Sequence, residues 1–383
     1  MDALTTPSNW QRVRLGDIAE IIGGGTPSTQ ITSFWNGSIN WFTPTEIGIT
    51  KYVYKSQRTI TPLGLKKSST KLLPIGTILL TSRASIGDCA ILKVVATTNQ
   101  GFQSLIPLEK INNEFLYYLM LTLKNKLLKL ASGSTFLEVS PNKIKSLLIP
   151  LPPLNEQIAI ANILSDVDRY LYSLDALILK KESVKKALSF ELLSQRKRLK
   201  GFNQAWQKVR LGDIAEIKRG VRITKNELDV FGKYPVVSGG VGFLGYTNNF
   251  NRYENTITIA QYGTAGYVNF QKNKFWANDI CFCVYPNKDV IKNIFLYYFL
   301  KVNQNYLYEI SNRNATPYSI SKDKILDFEI LLPPLNEQIA IANILSDVDN
   351  EIISLKNKKR QFENIKKALN HDLMSAKIRV LKK

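Results

Sequence analysis

The sequence is poor in the residues from which many active sites and metal sites are built. Its 383 residues include one histidine, His371, and three cysteines, Cys89, Cys281 and Cys283. One histidine excludes a histidine-based catalytic triad and a histidine-rich metal site. The cysteines offer no disulfide framework. Cys281 and Cys283 alternate as two residues on one face of a strand do, which favours a core strand over a metal site.

Nucleotide-binding and catalytic motifs are missing as well. There is no GxxxxGK[ST] phosphate loop. A GxGxxG pattern begins at Gly240, but the Asn-rich segment after it does not predict the helix that a dinucleotide-binding motif requires, so these glycines are interpreted as turns. The Asn/Asp-Pro-Pro-Tyr motif of adenine-N6 methyltransferases and the acidic cluster with a lysine of metal-dependent nucleases are also missing. We therefore expect a chain without catalytic residues, bound metal or cofactor.

No apolar run approaches twenty residues and no N-terminal signal pattern occurs, so we expect a cytoplasmic protein without a membrane partner. Positive charge is in excess: 51 Lys and Arg against 31 Asp and Glu give a net charge of +20. Such a field favours a polyanion, and nucleic acid is the most common polyanionic partner. A basic protein that is merely soluble is the alternative.

Two segments of the sequence are repeated almost without change. The eighteen residues LPPLNEQIAIANILSDVD begin at Leu151 and again 181 residues later at Leu332. A second repeat, WQ(R/K)VRLGDIAEI, begins at Trp10 and again 196 residues later at Trp206. A fainter match starting at Ile78 has an offset of 179, so the first half carries about 17 additional residues (196 − 179) before it. The chain is thus two versions of one unit.

Each half has short β-type runs, then a helix, a polar loop and the repeated LPPL segment, which predicts an α+β domain. After each LPPL, apolar residues recur every three or four positions, which predicts a long helix with a coiled-coil seam. We therefore predict α+β domains at 1–152 and 201–333, and helices at 153–200 and 334–383. The predicted seam residues are Leu164, Leu171, Leu174, Ile178, Val184 and Leu188 in the first helix, and Leu345, Ile352, Leu355, Phe362, Ile365 and Leu369 in the second.

The first helix is expected to run from Pro153 to about Leu199 and to need an apolar partner. The most economical partner is the second helix, packed antiparallel, which would hold the two domains apart. The alternative is that each helix folds back on its own domain. Together these features predict an α+β fold with two globular domains, two long antiparallel coiled-coil helices and an internal pseudo-twofold repeat.

These motifs resemble one known family. The doubled LPPLNEQ, GGTPST at 24–29, TSRASIG at 81–87, TNQGFQSLIP at 98–107 and TITIAQYGTAGYV at 256–268 are similar to segments of the specificity subunits of type I restriction–modification systems. The similarity covers essentially the whole chain, and the doubled LPPLNEQ is its most specific part.

The resemblance implies that each domain recognises one half of a bipartite DNA sequence, while the helices set the spacing of the half-sites. It also implies that the helices bind two modification (methyltransferase) subunits, which use S-adenosylmethionine, and that restriction subunits join this complex. Two rival hypotheses are a methyltransferase or nuclease that acts alone, and a scaffold that binds DNA through charge without sequence preference.

In each half, a loop joins two β-type runs whose apolar residues match between the halves, while the polar residues at the tip of the loop differ. These tip residues are the best candidates for DNA recognition, and ordinary tight turns are the alternative. A second group lies in the loops before LPPL, and further candidates lie in the first-half insertion and at a basic loop of the second half. For Trp41, as for Trp35, core packing is the alternative. The candidates are Ser82, Arg83, Ser85, Gln261, Tyr262 and Thr264 at the tips; Ser134, Thr135, Arg313 and Thr316 in the second group; and Trp41, Thr43, Arg219 and Arg222.

Polar residues of the identical helix starts have no role in a seam, so we expect them to be exposed and to bind the same partner twice. They are Asn155, Gln157 and Asn162, and their copies Asn336, Gln338 and Asn343. A recent duplication would also explain the identity.

Overall fold

The computed structural model describes residues 7–133, 137–314 and 316–380. The chain forms two compact units: the first contains Met1–Leu174 and Lys358–Lys383, and the second contains Asp175–Asn357. The predicted boundaries between domain and helix fall inside these units and stay predictions. No helix in the described ranges is long and apolar enough to cross a membrane.

In the described residues, the first unit contains ten strands, three shorter α-helices, the first part of one long helix and the last part of a second, which starts in the other unit. Up to the first long helix, the elements in chain order are β1 (Gln11–Arg14), β2 (Ala19–Gly23), β3 (Trp35–Phe42), β4 (Tyr52–Val53), β5 (Arg58–Ile60), α1 (Pro62–Lys66), β6 (Ile78–Leu80), β7 (Cys89–Leu92), β8 (Ala96–Thr98), β9 (Gln103–Pro107), α2 (Asn113–Leu130), α3 (Pro141–Lys145), β10 (Leu148–Leu151) and α4 (Leu154–Leu193). They form sheets of order β2-β9-β6-β7-β4, β5-β3-β8 and β1-β10.

The five-stranded sheet of the first unit is buried on both faces. Alternate residues of a strand point to opposite faces. Ile78 and Leu80 belong to the core that contains Phe115 of α2, whereas Leu79 between them packs with Phe42 of the three-stranded sheet. Burial on both faces explains why β6 and β7 are continuous apolar runs without polar alternation.

The second unit repeats this arrangement. Its elements are β11 (Gln207–Arg210), α5 (Leu211–Ile214), β12 (Ala215–Arg219), β13 (Tyr234–Val237), β14 (Phe243–Thr247), β15 (Thr256–Ala260), β16 (Val268–Gln271), β17 (Trp276–Ala277), β18 (Cys281–Pro286), α6 (Asn293–Val302), α7 (Gln304–Glu309), α8 (Lys322–Leu326), β19 (Glu329–Leu332) and α9 (Leu335–Met374). They form sheets of order β12-β18-β15-β16, β14-β13-β17 and β11-β19.

Cys281 and Cys283 lie on β18 and are buried with Val237, Phe275 and Ala277. The hydrogen bond with Cys283, together with burial, raises the pKa of Cys281 well above that of a free thiol. The described residues contain no group of ligands that could hold a metal ion. The interpretation of these thiols as part of a core strand is confirmed.

In each unit, a strand of the WQ(R/K)VRLGDIAEI repeat pairs with the strand that leads into the LPPL segment. β1 pairs antiparallel with β10, whose last residue, Leu151, is the first residue of the LPPL segment, and Val13 lies opposite Ile149. β11 and β19 pair in the same register, with Val209 opposite Ile330. The nearly invariant segments therefore form one continuous scaffold from which α4 or α9 begins.

The two long helices pack antiparallel, as the seam predicts. In the first unit the Tyr170 ring of α4 lies 4.6 Å from the Phe362 ring of α9. In the second unit Lys185 Nζ of α4 lies 2.5 Å from an oxygen of Asp349 of α9. Residue numbers on α9 thus fall as those on α4 rise.

Most of the predicted seam residues are buried or partly buried, with two exceptions. The buried positions include Leu164, Leu174, Ile178, Leu345 and Ile352, and the partly buried ones are Leu171, Leu188, Leu355, Phe362 and Leu369. The equivalent residues Val184 and Ile365 are 46% and 50% exposed, so their assignment to the seam is wrong.

The first helix also ends six residues before the predicted Leu199. Gln195 has a φ of +62°, and Ala376 at the equivalent position after α9 has a φ of +59°. A left-handed residue directly after a helix cannot continue it. Both helices have 40 residues, which corresponds to about 60 Å at 1.5 Å per residue.

Candidate nucleic-acid interface

A buried carboxylate anchors the start of each long helix. Glu156 is 2% exposed; Trp10 Nε1 donates a hydrogen bond to its Oε2 (3.1 Å) and Arg379 Nε donates to its Oε1 (2.9 Å). In the second unit, Glu337 accepts hydrogen bonds from Trp206 Nε1 (2.9 Å) and Arg198 Nη2 (2.6 Å). We call each set of Trp, Glu and Arg a latch. Arg198 follows the end of α4 and binds the start of α9. Arg379 follows the end of α9 and binds the start of α4.

The latches are part of the repeat, because Arg198 and Arg379 are 181 residues apart, as are Glu156 and Glu337. The sequence interpretation missed them. The signal was available in the arginine that recurs after each helix, but the sequence does not show that an arginine would meet a glutamate 223 or 139 residues away.

Gln157 and Gln338 are buried, so their assignment to an exposed partner surface is wrong. The Gln157 side chain accepts a hydrogen bond from Asn112 N (2.9 Å) and donates one to Pro152 O (2.9 Å). Gln338 makes the same contacts with Lys292 N (2.7 Å) and Pro333 O (2.8 Å). Each glutamine therefore joins the start of a long helix to the loop before α2 or α6.

The other four polar residues of that prediction, Asn155, Asn162, Asn336 and Asn343, are exposed. Beside them on the same helices, Ile158 and Ile339 are 42% and 41% exposed. On each helix the apolar residue lies three or four positions from both asparagines, so the three side chains share one face. An exposed apolar residue between two amides, identical in both copies, is a possible docking surface for a partner.

The later part of the identical segment binds the tyrosine of α2 or α6. Tyr118 Oη donates to Asp168 (2.5 Å), and Tyr298 Oη donates to Asp349 (2.7 Å). In the first unit, Lys51 from the insertion adds hydrogen bonds to Tyr118 Oη (2.9 Å) and Ser165 Oγ (2.8 Å). Burial lowers the pKa of Lys51. The insertion is thereby joined to the constant helix.

The two loop tips selected from the sequence have the same backbone hydrogen bonds. Ser82 N donates to Gly101 O (2.8 Å), and Val139 N donates to Ser82 O (3.1 Å). Gln261 takes the place of Ser82 in the second unit: its N donates to Ile280 O and its O accepts from Ile320 N, both at 3.0 Å. In each unit the tip therefore lies beside the loop that precedes the short helix α3 or α8, and in the second unit this loop carries the candidates Arg313 and Thr316.

In the first unit the side chains at the tip have different environments. Ser82 is fully buried and its Oγ donates to Gly101 O (3.2 Å), so its assignment as a DNA-contacting side chain is wrong. Arg83 is half-exposed and pairs with Glu138 (2.8 Å). Ser85 is partly buried and accepts a hydrogen bond from Thr81 through its backbone oxygen. Ser134 and Thr135 lie outside the described residues.

In the second unit the tip borders a groove of about 600 Å³ that is lined by Tyr262, Thr264 and the glycine-rich turn at 239–242. Thr264 Oγ1 donates to Gly239 O (2.7 Å). A Cβ at Gly239 would lie 2.3 Å from the backbone oxygen of Tyr262, so this close approach requires glycine. The Gln261 side-chain oxygen is buried without a hydrogen-bond partner in the described part of the chain.

Arg313 and Thr316 are exposed beside this tip. The Arg313 guanidinium lies 5.1 Å from the ring of Tyr308 and 5.2 Å from that of Tyr318. Its Nε donates to Tyr308 O (2.9 Å), which leaves the outer nitrogens free to reach a ligand.

The insertion and the basic loop contribute less than the sequence suggested. Trp41 is buried, donates from Nε1 to Gly25 O (2.9 Å) and packs edge to face on Trp35, so the core-packing alternative is correct. Thr43 Oγ1 donates to Glu46 (2.8 Å) and caps a short helical turn. Arg219 donates to the backbone of Asp279, and Arg222 is exposed.

One cation of the insertion was missed by the sequence interpretation. The Arg58 guanidinium lies over the Trp35 ring at 3.7 Å and is exposed at the edge strand β5. A preformed stack of this kind leaves the guanidinium in place to contact phosphate.

Comparison with known proteins gives a consistent result. The family model described as type I restriction modification DNA specificity domain matches residues 7–181 and 203–364. Among curated relatives, the MjaIX specificity subunit of Methanocaldococcus jannaschii is 34% identical over 58% of this chain and 55% of its own length. The EcoR124I/EcoR124II specificity subunit of Escherichia coli is 38% identical over 40% of each chain. The chain thus spans about half, or less, of these two relatives.

A putative MjaX specificity subunit, also of Methanocaldococcus jannaschii, is 28% identical over 98% of this chain and 95% of its own length. Two solved structures share the fold at low identity. The type I S subunit from M. genitalium has a TM-score of 0.66 and 20% identity, with 98% of this chain and 97% of that one covered. The HsdS subunit from Thermoanaerobacter tengcongensis has a TM-score of 0.55 and 18% identity, with coverages of 97% and 98%.

Proposed function

Because the chain belongs to the type I restriction–modification DNA specificity family, we propose that it is the subunit through which such a complex recognises its DNA sequence. One observation carries this proposal: the two units have the same backbone at their loop tips and different side chains there. Arg83 and Ser85 stand where the second unit has Tyr262 and Thr264. A shared backbone can place side chains in the same position on DNA, and different polar side chains there would contact different bases. Each unit would therefore recognise one half of a bipartite site.

Affinity for DNA would come mainly from the excess of positive charge, through lysine and arginine contacts with phosphates. The antiparallel helices would set the distance between the half-sites. The chain itself would carry out no chemistry. Modification subunits would bring S-adenosylmethionine and the methyltransferase site, and restriction subunits would join the same complex in the cytoplasm.

Two modification subunits would bind, one at each identical helix start. The face formed by Asn155, Ile158 and Asn162 is exposed in the first unit, and the face with Ile339 is exposed in the second. We expect Ile158→Asp to reduce the number of bound modification subunits from two to one, and Ile158→Asp with Ile339→Asp to remove both. The mass of the purified complex measures this number.

Val184→Asp is the matched control, because Val184 is an equally exposed apolar residue of α4 outside the identical segment. It should leave both modification subunits bound. A ratio other than two modification subunits to one wild-type chain would contradict this part of the proposal. So would an equal loss from Ile158→Asp and from the control Val184→Asp.

The spacing role is tested by deleting seven residues from the middle of each long helix, which keeps the antiparallel seam in register. Each helix becomes shorter by about 10 Å. At 3.4 Å per base pair, the gap between the half-sites should shrink by about three base pairs while both half-sites stay the same. The methylation pattern of DNA modified by the complex reports the half-sites and the gap together.

The rival hypotheses predict different results. A methyltransferase acting alone would transfer labelled methyl groups to DNA without modification subunits, and we expect no transfer. A scaffold that binds through charge would have equal affinity for the methylated sequence and for a random duplex. Competition between the two duplexes should instead favour the methylated sequence by a factor in the range of roughly 10³ to 10⁷ that is usual for specific binding.

A further inference from the structure

The second unit has a basic groove that none of the loop-tip contacts uses. It has a volume of about 660 Å³ and lies beside the β13–β14 hairpin and the turn between β16 and β17. Three lysines line it, Lys233, Lys272 and Lys274, with Glu254 as its single acidic residue. We call it the lysine groove.

Two of the three lysines lie near aromatic rings. Lys274 Nζ lies 4.6 Å from the centre of the Phe250 ring and 5.4 Å from that of Tyr253, and Lys233 Nζ lies 5.5 Å from the Tyr234 ring. Within the ranges that the structure describes, none of the three lysines forms an ion pair with a carboxylate. Their charge is therefore available to an anionic ligand.

The groove is continuous with the loop tip. Phe243, the first residue of β14, is half-exposed and lines both the lysine groove and the groove beside Tyr262 and Thr264. From Phe243 the strand β14 runs to Thr247, a distance of about 13 Å at 3.3 Å per residue. This distance corresponds to about four base pairs along a duplex.

We propose that the lysine groove binds the phosphate backbone of the duplex beside the half-site that the second unit recognises. This inference rests on the proposed function. A polyanion fits because three cations face one carboxylate, and a duplex fits because the groove continues a surface whose tip is proposed to read base edges. Phosphate contacts carry no sequence information, so the groove would add affinity and fix orientation without changing the recognised sequence.

The matching three-stranded sheet of the first unit carries a different cation, Arg58 over Trp35. The two flanks of the bipartite site would therefore be held differently, and the groove would contribute to the second unit's flank alone.

The test measures how DNA affinity depends on salt. The full chain with its modification subunits is titrated with a duplex that carries its methylated sequence and with a random duplex of the same length. The slope of log K against log[salt] is negative, and each lost phosphate contact makes it less steep by about 0.9. Replacing Lys233, Lys272 and Lys274 together by glutamine should make the slope less steep by about 2.7 on the same basis, equally for both duplexes.

Lys288→Gln is the charge-matched control for Lys274→Gln. Lys288 is exposed after β18 and does not line the groove. We expect Lys274→Gln to reduce the slope by about 0.9, and Lys288→Gln to leave it unchanged. Because the lysines are at the surface, the thermal midpoints of the variants should equal that of the wild type.

Four results separate the possibilities. An unchanged slope in the triple variant overturns the inference, and so does an equal change in Lys288→Gln. Loss of modification subunits with an unchanged DNA slope shows that the groove binds protein and also overturns it. If the wild-type complex has no preference for its methylated sequence over the random duplex, the proposed function itself fails, whatever the groove does.

Discussion

The latch in the first unit permits a sharp test of how the constant scaffold is held together. The change is Arg379→Ala, which removes the guanidinium from the buried carboxylate of Glu156. Trp10 would remain as a hydrogen-bond donor to that carboxylate, at 3.1 Å. The charge of Glu156 would then be left in a site that is 2% exposed.

The expected cost follows from the burial of the two partners. Removing one partner of a fully buried ion pair costs about 3–5 kcal/mol. The side chain of Arg379 is 30% exposed, so water replaces part of its interaction after the substitution. We therefore expect the free energy of unfolding of the first unit to fall by about 2–3 kcal/mol, below the range for a fully buried pair.

Hydrogen exchange followed by mass spectrometry suits this test because it reports the two units separately. A loss of 2–3 kcal/mol corresponds to exchange that is roughly 30 to 150 times faster at amides that exchange through opening of the whole unit. We expect this change in β1, α2 and the start of α4, with little change in β11 and α6. Arg198→Ala should give the opposite pattern, because it opens the latch of Glu337.

Arg169→Ala is the control for the loss of an arginine from a helix surface. Arg169 pairs with Asp166, and their side chains are 78% and 62% exposed, so the substitution should cost no more than about 0.5 kcal/mol. The double variant Glu156→Gln with Arg379→Ala should be more stable than the sum of the single effects predicts. If Arg379→Ala accelerates exchange no more than Arg169→Ala does, the latch does not stabilise the unit and our reasoning is wrong.

Three further predictions concern the tips and the helix starts. Arg83→Ala should weaken binding to one half-site and Gln261→Ala to the other, each by roughly 1–3 kcal/mol if the side chain reads a base edge; equal losses on a random duplex would show phosphate contacts instead. Glu138→Gln should raise DNA affinity, because it removes a negative charge and frees Arg83 from an ion pair worth about 0–1 kcal/mol; a titration that shows weaker binding would contradict this. Gln338→Ala should lower the free energy of unfolding of the second unit by about 2–3 kcal/mol, because buried backbone groups lose their hydrogen-bond partners. Asn336 is exposed, so Asn336→Ala should change this free energy by less than about 0.5 kcal/mol. Equal urea midpoints for the two variants would refute the role of the buried Gln338 amide.

The sequence predicted the parts of the architecture that depend on repetition and periodicity. Two copies of an eighteen-residue segment indicate two versions of one unit, and apolar residues every three or four positions indicate the paired helices. The equivalence of the tips that contain Ser82 and Gln261 was also predictable, because the flanking apolar residues match. Such patterns are local, and the preferences of the backbone and of apolar side chains are enough to interpret them.

Which polar residues are exposed was decided by the tertiary structure. Asn155 and Gln157 are two positions apart in the same identical segment, and one is exposed while the other is buried. The two side chains point to different sides of the helix. Gln157 points toward a loop 45 residues earlier in the chain, where the backbone amide of Asn112 donates a hydrogen bond to it.

The sequence by itself determined that the chain is a duplicated scaffold with variable tips and that its charge suits DNA. The fold decided that Ser82 is inaccessible, that Trp41 lies in the core, and that Glu156 and Glu337 bind arginines 223 and 139 residues away. These outcomes depend on tertiary contacts between residues from 16 to 223 positions apart. Composition and spacing do not predict such contacts. The contacts are stabilised by burial and hydrogen bonding that exist only after the chain has packed.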